Sequence, residues 1–251
     1  MTGNREVAIY RTELLKLCNF VIPSACTLCD GYLGVDEQSI CAECALELPW
    51  LSSQCQRCAT PLADTAICPA CQQRPPNYRR CIAPLQYQYP VNKLIKPLKT
   101  DSNAPEFIQL SRYLTNAVND HYGHNDRPKV LLPVPLHWRT LIRRGYNQSY
   151  IIAKQLSAML EQTSVANNIL YRRRYSQPQH LQTKQDRTRS MLHVFDIKHR
   201  YSIKGLKLAL IDDVVTTGAT AQNAALCLLK AGAESVDIWC IARTGWHNRA
   251  I

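Results

Sequence analysis

Between residues 80 and 251, apolar side chains recur at two spacings, one typical of helices and one typical of buried strands. Phe107, Leu110, Leu114 and Val118 follow one another every three or four residues, which places them on one face of a helix. Helical spacing predicts three helices: 106–121, 148–160 and 219–230. Apolar runs predict four strands, the first of which could be a hairpin arm: 82–89, 130–135, 208–211 and 236–241. Because strands and helices alternate, we predict an α/β domain with a parallel sheet covered on both faces.

Composition divides the 251 residues into three predicted regions. Residues 1–24 predict a short helix, residues 25–75 carry closely spaced cysteines, and residues 80–251 form the α/β domain. No apolar run approaches the roughly 20 residues that a membrane-spanning helix needs. The polar first residues also do not have the pattern of a secretion signal. We therefore expect a cytoplasmic protein without a membrane span.

Eight of the twelve cysteines form four CxxC pairs, and regular CxxC pairs in a reducing cytosol indicate a metal site. They are Cys26, Cys29, Cys41, Cys44, Cys55, Cys58, Cys68 and Cys71. We predict two structural Zn²⁺ sites, because four thiolates complete the zinc tetrahedron and leave no position for a substrate. The simplest pairing is sequential, with the first four cysteines on one ion and the last four on another. The spacing also permits an interleaved pairing, and reduced structural cysteines or a redox relay are the alternatives to metal.

The cysteine-rich module is not basic: residues 1–80 contain 7 Lys/Arg and 8 Asp/Glu. A finger that reads DNA would carry excess positive charge. We therefore expect this module to contact protein or to brace the neighbouring domain. Two of the isolated cysteines, Cys227 and Cys240, lie in apolar surroundings and are predicted to be small core residues.

The positive charge of the chain is concentrated in one segment. The chain has 30 Lys/Arg and 19 Asp/Glu, a formal net charge of +11. Residues 139–207 contain 14 basic and 3 acidic residues, so this segment alone carries a net charge of +11. Such a concentration favours an anionic partner, whether phosphate, pyrophosphate or nucleic acid. A solvated basic face is the alternative.

A polar turn follows the predicted strand 208–211 and precedes the helix 219–230. The residues of this turn that could bind a ligand are Asp212, Asp213, Thr216, Thr217, Gly218 and Thr220. The two acids could accept hydrogen bonds from sugar hydroxyls or hold Mg²⁺. The threonine hydroxyls and the N–H groups at the helix start can surround a phosphate, and the glycine allows close approach of the backbone. The pattern therefore predicts a sugar-phosphate site, with an acidic helix-capping turn as the alternative.

This turn resembles the phosphoribosyl-pyrophosphate (PRPP) motif of type I phosphoribosyltransferases. With the residues that follow, nearly the whole chain resembles the ComF/GntX-type competence family, which combines such a domain with an N-terminal double zinc ribbon. The further matching residues are Val134, Pro135, Leu136, His137, Arg139, Arg143, Arg144, Gly145, Tyr146, Asn147, Gln148, Gln177, Gln182 and Arg187. The implied fold is an α/β phosphoribosyltransferase-like parallel sheet flanked by helices and preceded by a small zinc-ribbon module.

The resemblance also assigns roles to residues. Asp212 and Asp213 would bind the ribose hydroxyls. The 5′-phosphate would be bound by Thr216, Thr217, Gly218, Ala219 and Thr220. The pyrophosphate side would comprise Pro135, Leu136, His137, Arg139, Arg143 and Arg144. Its arginines suit this role, because the departure of pyrophosphate with Mg²⁺ needs charge neutralisation and a guanidinium grips phosphate in two directions. Surface charge is the alternative for Arg143 and Arg144, and Asn147 and Gln148 could instead be helix-start residues.

A second cationic stretch, rich in glutamine, is implied to be a hood over the site. Its candidate residues are Arg172, Arg174, Gln177, Gln182 and Arg187. The same residues could follow the phosphodiester backbone of single-stranded DNA, with glutamines reaching the bases. Ser190 stands where the family often has asparagine, and its hydroxyl could still donate a hydrogen bond.

By resemblance, we expect a role in natural transformation, in which the protein aids the uptake or handling of single-stranded DNA. The expected partners are PRPP, single-stranded DNA, and a DNA-translocating helicase or other competence proteins. The alternative is an active, Mg²⁺-dependent phosphoribosyltransferase with an unidentified base or amine as acceptor. A third reading keeps the fold for binding DNA, with PRPP as a regulator. Purine-salvage relatives place an aspartate where Thr216 stands, which argues against a purine acceptor.

Overall fold

The structure is a computed structural model of the chain. The residues that it describes are 25–35, 37–63, 66–122, 126–173, 194–198 and 202–245. The predicted N-terminal helix over 1–24 lies outside them, as do the hood candidates Arg174, Gln177, Gln182 and Arg187. Contacts divide the chain into two units, one ending at Leu48 and the other beginning at Pro49. The last two CxxC pairs belong to the second unit, and the domain boundary between residues 75 and 80 remains a prediction.

The described part of the first unit is small. It contains one short helix, α1 (Ala42–Leu46), and a bridge between Ala25 and Tyr32. Cys26 and Cys41 are buried there together with Ile40 and Leu48, and in so short a module a bound metal would supply much of the folding free energy.

The second unit is built on a parallel sheet. The strands of the sheet are β1 (Cys81–Ile82), β2 (Leu85–Gln86), β3 (Val130–Pro133), β4 (Ser164–Val165), β7 (Lys207–Val215) and β8 (Ser235–Arg243). Their order is β1–β8–β7–β3–β4, with β2 also pairing with β8, and every pairing is parallel. A separate antiparallel pair joins β5 (Leu170–Arg172) to β6 (Phe195–Ile197). The predicted α/β architecture with a parallel sheet is confirmed.

Helices flank this sheet. They are α2 (Pro69–Gln73), α3 (Val91–Ile95), α4 (Glu106–His121), α5 (Trp138–Arg144), α6 (Gln148–Met159) and α7 (Ala219–Lys230), with a 3₁₀ turn at Pro97–Lys99. The bounds of α4 and α7 are those predicted from apolar spacing. In the part of the chain that the structure describes, no helix has the length and apolarity needed to cross a bilayer.

Small residues on one face of α7 pack this helix closely against the sheet. Ala221, Ala224, Ala225 and Leu228 are buried at helical spacing, and α7 contacts β6, β7 and β8. Cys240 on β8 is fully buried, as predicted for a small core residue, whereas Cys227, for which the same was predicted, is only partly buried on α7. This packing fixes the start of α7 at the carboxyl end of β7, where α/β sheets bind ligands.

Candidate functional site

The predicted sugar-phosphate motif lies where β7 ends and α7 begins, and residues 212–220 are called the β7–α7 loop from here. Gly218 precedes the helix with a φ of 82°, a left-handed conformation that glycine adopts without strain. Thr216, Thr217 and Thr220 are exposed, and Thr217 Oγ1 accepts a hydrogen bond from the N–H of Ala219 at 3.3 Å. The residues of this loop other than Asp213 line a small open pocket together with Ala221. Exposed hydroxyls and a helix start are suitable donors to a phosphate there.

The two acids of the loop are held by side chains from distant parts of the sequence. Asp212 Oδ1 accepts from the Ser149 hydroxyl at 3.2 Å and from the backbone N–H of Asp213 at 3.0 Å. The Gln148 amide donates to Asp213 Oδ1 at 3.4 Å, and the Lys99 ammonium lies 3.4 Å from Asp213 Oδ2. Burial and then the charge of Asp213 raise the pKa of Asp212 well above its ordinary value. Adjacent carboxylates of this kind can accept sugar hydroxyls or share a divalent cation.

The start of α6 places two of these side chains. Asn147 caps the helix: its Oδ1 accepts from the Ser149 N–H and its Nδ2 donates to the carbonyl oxygen of Val134, both at 3.0 Å. The Val134 N–H in turn donates to the Ile211 carbonyl on β7 at 2.9 Å. Asn147 is therefore a helix-start residue, whereas Gln148 also reaches the acid pair.

The predicted pyrophosphate-side residues lie on α5 and in the turn before it. Arg144 Nη1 donates to Gln148 Oε1 at 2.5 Å, which joins this guanidinium to Asp213 through one amide. Arg139 is exposed, with its guanidinium carbon 5.3 Å from the centre of the Trp138 ring, and Arg143 is also exposed. The structure thus brings Arg144 to the acid pair and leaves the other two arginines on the surface of α5. Their roles toward pyrophosphate stay predictions.

The remaining members of this set precede the helix. His137 caps α5, and its Nδ1 accepts from the backbone N–H of Arg139 at 3.3 Å. Pro135 and Leu136 lie in the half-buried turn between β3 and His137. Of the hood candidates, the structure describes Arg172 alone, which is exposed on β5 and pairs with Phe195 of β6.

Sequence reasoning did not find Lys99 or Ser149. Lys99 ends a 3₁₀ turn far from Asp213 in the sequence, and no motif surrounds it. Ser149 follows the matching residues Asn147 and Gln148, so its position after a helix cap was the available signal. Only the packing of α6 and the 3₁₀ turn beside β7 brings these two residues to the acid pair.

The cysteines form two groups, and both fit zinc. The first is Cys26, Cys29, Cys41 and Cys44, and the second is Cys55, Cys58, Cys68 and Cys71. Within each group the four Sγ atoms lie within 4.8 Å of one another, which corresponds to the sequential pairing. The Sγ atoms of Cys29 and Cys41 are 3.7 Å apart, as are those of Cys58 and Cys68. A tetrahedron with Zn–S bonds of about 2.3 Å has edges of about 3.8 Å, so these separations suit the ion.

Backbone N–H groups also point at sulfur in both groups. The Cys41 N–H donates to Cys26 Sγ at 3.4 Å, and the Cys68 N–H donates to Cys55 Sγ at 3.3 Å. Burial opposes ionisation of Cys26, but backbone hydrogen bonds outweigh it and lower the pKa of this thiol to about 7. Thiolates stabilised by N–H donors are the ligands that structural zinc requires.

Comparison with known proteins agrees with both parts of the chain. The family model for the double zinc ribbon domain matches residues 17–72. The DNA utilization protein YhgH of Salmonella typhimurium is 31% identical over 226 residues, covering 89% of this chain and 98% of that protein. Competence protein F of Haemophilus influenzae is 29% identical over 224 residues, covering 87% and 96% respectively. Among solved structures, a purine phosphoribosyltransferase from Pyrococcus horikoshii Ot3 aligns with a TM-score of 0.33 and 18% identity, covering 54% of this chain and 70% of that one.

Proposed function

Because the chain belongs to the ComF/GntX-type family of DNA utilization and competence proteins, we propose that it binds PRPP with Mg²⁺ at the β7–α7 loop. We further propose that it aids the uptake or handling of single-stranded DNA in natural transformation. It would act in the cytoplasm, with a DNA-translocating helicase or other competence proteins as partners. The zinc ions would be structural.

The observation that carries the PRPP proposal is the acid pair beside an exposed hydroxyl loop. Asp212 lines a pocket rich in donors, and the buried Asp213 next to it is held by Lys99 and the start of α6. Vicinal ribose hydroxyls are donors that a carboxylate pair accepts, and a phosphate suits the helix start. The two halves of the site therefore match the two ends of a ribose 5-phosphate. Mg²⁺ would accompany the pyrophosphate and offset its charge.

The observation that favours DNA is the basic segment with exposed arginines. Arg139 stacks on Trp138, while Arg143 and Arg172 are exposed. Arginines on the surface track a phosphodiester backbone, and aromatic rings near them can stack on bases. Binding of this kind would not need a base-specific pocket, which suits a protein that handles strands of any sequence.

Calorimetric titration of PRPP into the zinc-loaded protein, with and without Mg²⁺, tests the site. We expect Mg²⁺-dependent binding that the double variant Asp212→Ala/Asp213→Ala loses. The matched control is Asp126→Ala/Glu234→Ala, which removes two carboxylates that face Lys207 near the other end of β7. The control should bind PRPP as the unmodified protein does. Equal binding by the unmodified protein and the Asp212/Asp213 variant would overturn the assignment of the loop.

Transferase activity is a second candidate, and the cations near the acid pair favour it. Lys99 and Arg144 both connect to Asp213, directly or through Gln148, where charge on a departing pyrophosphate could be offset. Release of pyrophosphate from PRPP in the presence of pooled bases and amines would support turnover. PRPP binding without any such release would leave binding as the function.

A further inference from the structure

A buried arginine connects the β7–α7 loop to the second cysteine group. Arg243, the last residue of β8, is only 1% exposed. Its guanidinium donates to the carbonyl oxygens of Val215 at 2.9 Å and of Thr216. On its other side it donates to the carbonyl oxygen of Cys58 at 2.8 Å and to Thr60 Oγ1 at 3.1 Å. One side chain therefore binds the entry of the loop and the turn that carries a cysteine ligand.

These hydrogen bonds hold the Thr216 carbonyl, and they act beside the Thr244 N–H and hydroxyl on the Val215 carbonyl; together they fix the direction of two peptide groups in the loop. In a trans peptide the carbonyl and the following N–H point in opposite directions. Because Arg243 binds the carbonyls of Val215 and Thr216, the N–H groups of Thr216 and Thr217 face away from it. Donors turned away from a buried cation are free for an anion, whereas flipped peptides would present carbonyl oxygens instead.

The charge of Arg243 needs a counter-charge. Among the described residues, its hydrogen-bond acceptors are neutral carbonyls, including that of Thr244, and one hydroxyl. A buried cation surrounded only by neutral acceptors is costly unless an anion is near. Zinc with four thiolates carries a net charge of −2, and Cys58, whose carbonyl Arg243 binds, belongs to the second group. The zinc-loaded group would supply the missing charge.

Two further observations connect the second cysteine group to the region around the β7–α7 loop. Asn77 follows the second cysteine group in the sequence, and its backbone N–H donates to Gln222 Oε1 on α7 at 2.8 Å. Tyr78 is buried, and its hydroxyl oxygen would lie 3.8 Å from a Cβ placed on Gly218. The segment after the second cysteine group therefore hydrogen-bonds to α7 and lies beside the turn at Gly218.

We propose that Arg243 is a positioning residue that holds the β7–α7 loop in its anion-binding conformation, and that zinc at the second cysteine group is needed for it to do so. The ligand side of this inference rests on the proposed function, whereas the connection between zinc and the loop does not. In this protein the second zinc site would be a support for the ligand loop, in addition to stabilising its own module.

The experiment measures hydrogen–deuterium exchange of the loop amides, zinc content and PRPP binding in the same preparations of full-length protein. In Arg243→Gln, we expect the hydrogen-bonded amides at the loop, those of Ala219 on Thr217 Oγ1 and of Thr244 on the Val215 carbonyl, to exchange about tenfold faster, the effect of losing one hydrogen bond to a charged group. Arg243→Lys should restore part of the protection, since the charge is kept. Thr60→Val removes the bond to Arg243 and the 3.2 Å contact with Cys58 Sγ, both on the cysteine side, and should give a smaller change in the same direction. Cys55→Ser/Cys68→Ser should lose one zinc per chain and show the same loop exchange as Arg243→Gln.

The control is Arg79→Gln, which removes a partly exposed arginine that pairs with Asp126 and Asp237. It should lower the unfolding temperature without a selective change in the loop, so a general loss of stability is distinguished from loss of positioning. If Arg243→Gln fails to fold, Thr60→Val and the lysine variant still carry the test. Unchanged loop exchange in folded Arg243→Gln, or in the variant that has lost the second zinc, would overturn the inference.

PRPP binding separates this inference from the proposed function. If unmodified protein does not bind PRPP but loop exchange follows Arg243 and zinc, the proposed ligand is wrong and the coupling stands. If unmodified protein binds PRPP and Arg243→Gln binds it equally well, the coupling is wrong and the proposed ligand stands.

Discussion

At the scale of single residues, the half-buried Asp212 is predicted to lower the stability of the folded protein while serving the ligand site. Burial and the charge of Asp213 raise its pKa, so the folded state loses stability as the pH rises through that raised value. Asp212→Asn keeps an oxygen acceptor for Ser149 and removes the charge. At pH 8 we expect the variant to have an unfolding free energy about 1 kcal/mol larger than that of the unmodified protein, and therefore a higher unfolding temperature. It should bind PRPP more weakly. The difference in stability should vanish below about pH 4, where the ordinary aspartate also becomes protonated.

Asp126→Asn is the matched control and should behave oppositely. Hydrogen bonds from Lys207 and then Arg79 lower the pKa of Asp126. This carboxylate therefore contributes stability above its ordinary pKa, and the contribution is lost as the pH falls. The control should unfold at a lower temperature than the unmodified protein at pH 8, and the two should converge in acid. Thermal unfolding of all three proteins from pH 8 down to about pH 2 checks both signs, and a destabilised Asp212→Asn at pH 8 would contradict the interpretation of the pair.

Lys99 gives a second prediction at this scale. Its ammonium lies 3.4 Å from Asp213 Oδ2, beside the site proposed for an anionic ligand. Lys99→Gln should weaken PRPP binding about tenfold, because a charge-assisted contact is worth roughly 1.5–3 kcal/mol, while Lys99→Arg retains most of the affinity. Calorimetry against Lys93→Gln, an exposed lysine of α3, separates a local contact from a change in net charge. Equal effects of the two glutamine variants would rule out a direct role for Lys99.

The sequence predicted those site residues that lie next to one another in the chain. Asp212, Asp213 and the threonines adjoin one another, so one motif identified them as a candidate site. Lys99 and Arg243 are brought to the loop by packing alone, and neither lies in a recognisable pattern. A lysine and an arginine in a basic chain carry no signal of their own until their neighbours are known.

At the scale of elements, the turn into α7 depends on a left-handed residue. Gly218 has a φ of 82°, and a Cβ there would meet only Tyr78 Oη at an ordinary 3.8 Å. Gly218→Ala should therefore cost about 1 kcal/mol of stability through backbone strain rather than through a clash. Because the strain lies within the loop, PRPP affinity should fall as well. Gly205→Ala, at a φ of 73° with open space around it, should cost similar stability and leave PRPP affinity unchanged. Similar affinity losses in both variants would show that the shape of the Gly218 turn does not matter to the ligand.

The sequence predicted those elements that bury one face. Apolar spacing defined α4 and α7 to the residue, because each packs a continuous stripe against the sheet. The helix α5 was missed because none of its residues is buried, which leaves no periodicity to detect. Strand β7 extends to Val215, beyond the predicted 208–211, because its pairing with β8 continues through the acid pair. Tertiary pairing, not local apolarity, sets that end of the strand.

At the scale of the whole molecule, the grouping of the cysteines had to come from the structure. The CxxC spacing permitted sequential and interleaved pairs equally, and the sulfur positions correspond to the sequential one. The family and the parallel α/β architecture were predicted and are confirmed. The division of the chain after Leu48 was not predicted, since composition changes only after the last CxxC pair.

The net charge gives the last prediction, because the whole excess of +11 lies in residues 139–207. If this segment binds single-stranded DNA through its phosphates, affinity must fall with salt, and each phosphate contact contributes about 0.7 to the slope of log K against log salt. Arg139→Gln/Arg143→Gln removes two exposed arginines of α5 and should lower that slope by about 1.4. Lys93→Gln/Lys96→Gln removes the same charge from exposed positions outside the segment and should leave the slope unchanged. Fluorescence anisotropy with a labelled oligonucleotide at several salt concentrations measures both. Equal slopes for the two double variants would mean that α5 does not contact the strand, and that its arginines serve pyrophosphate or solvent instead.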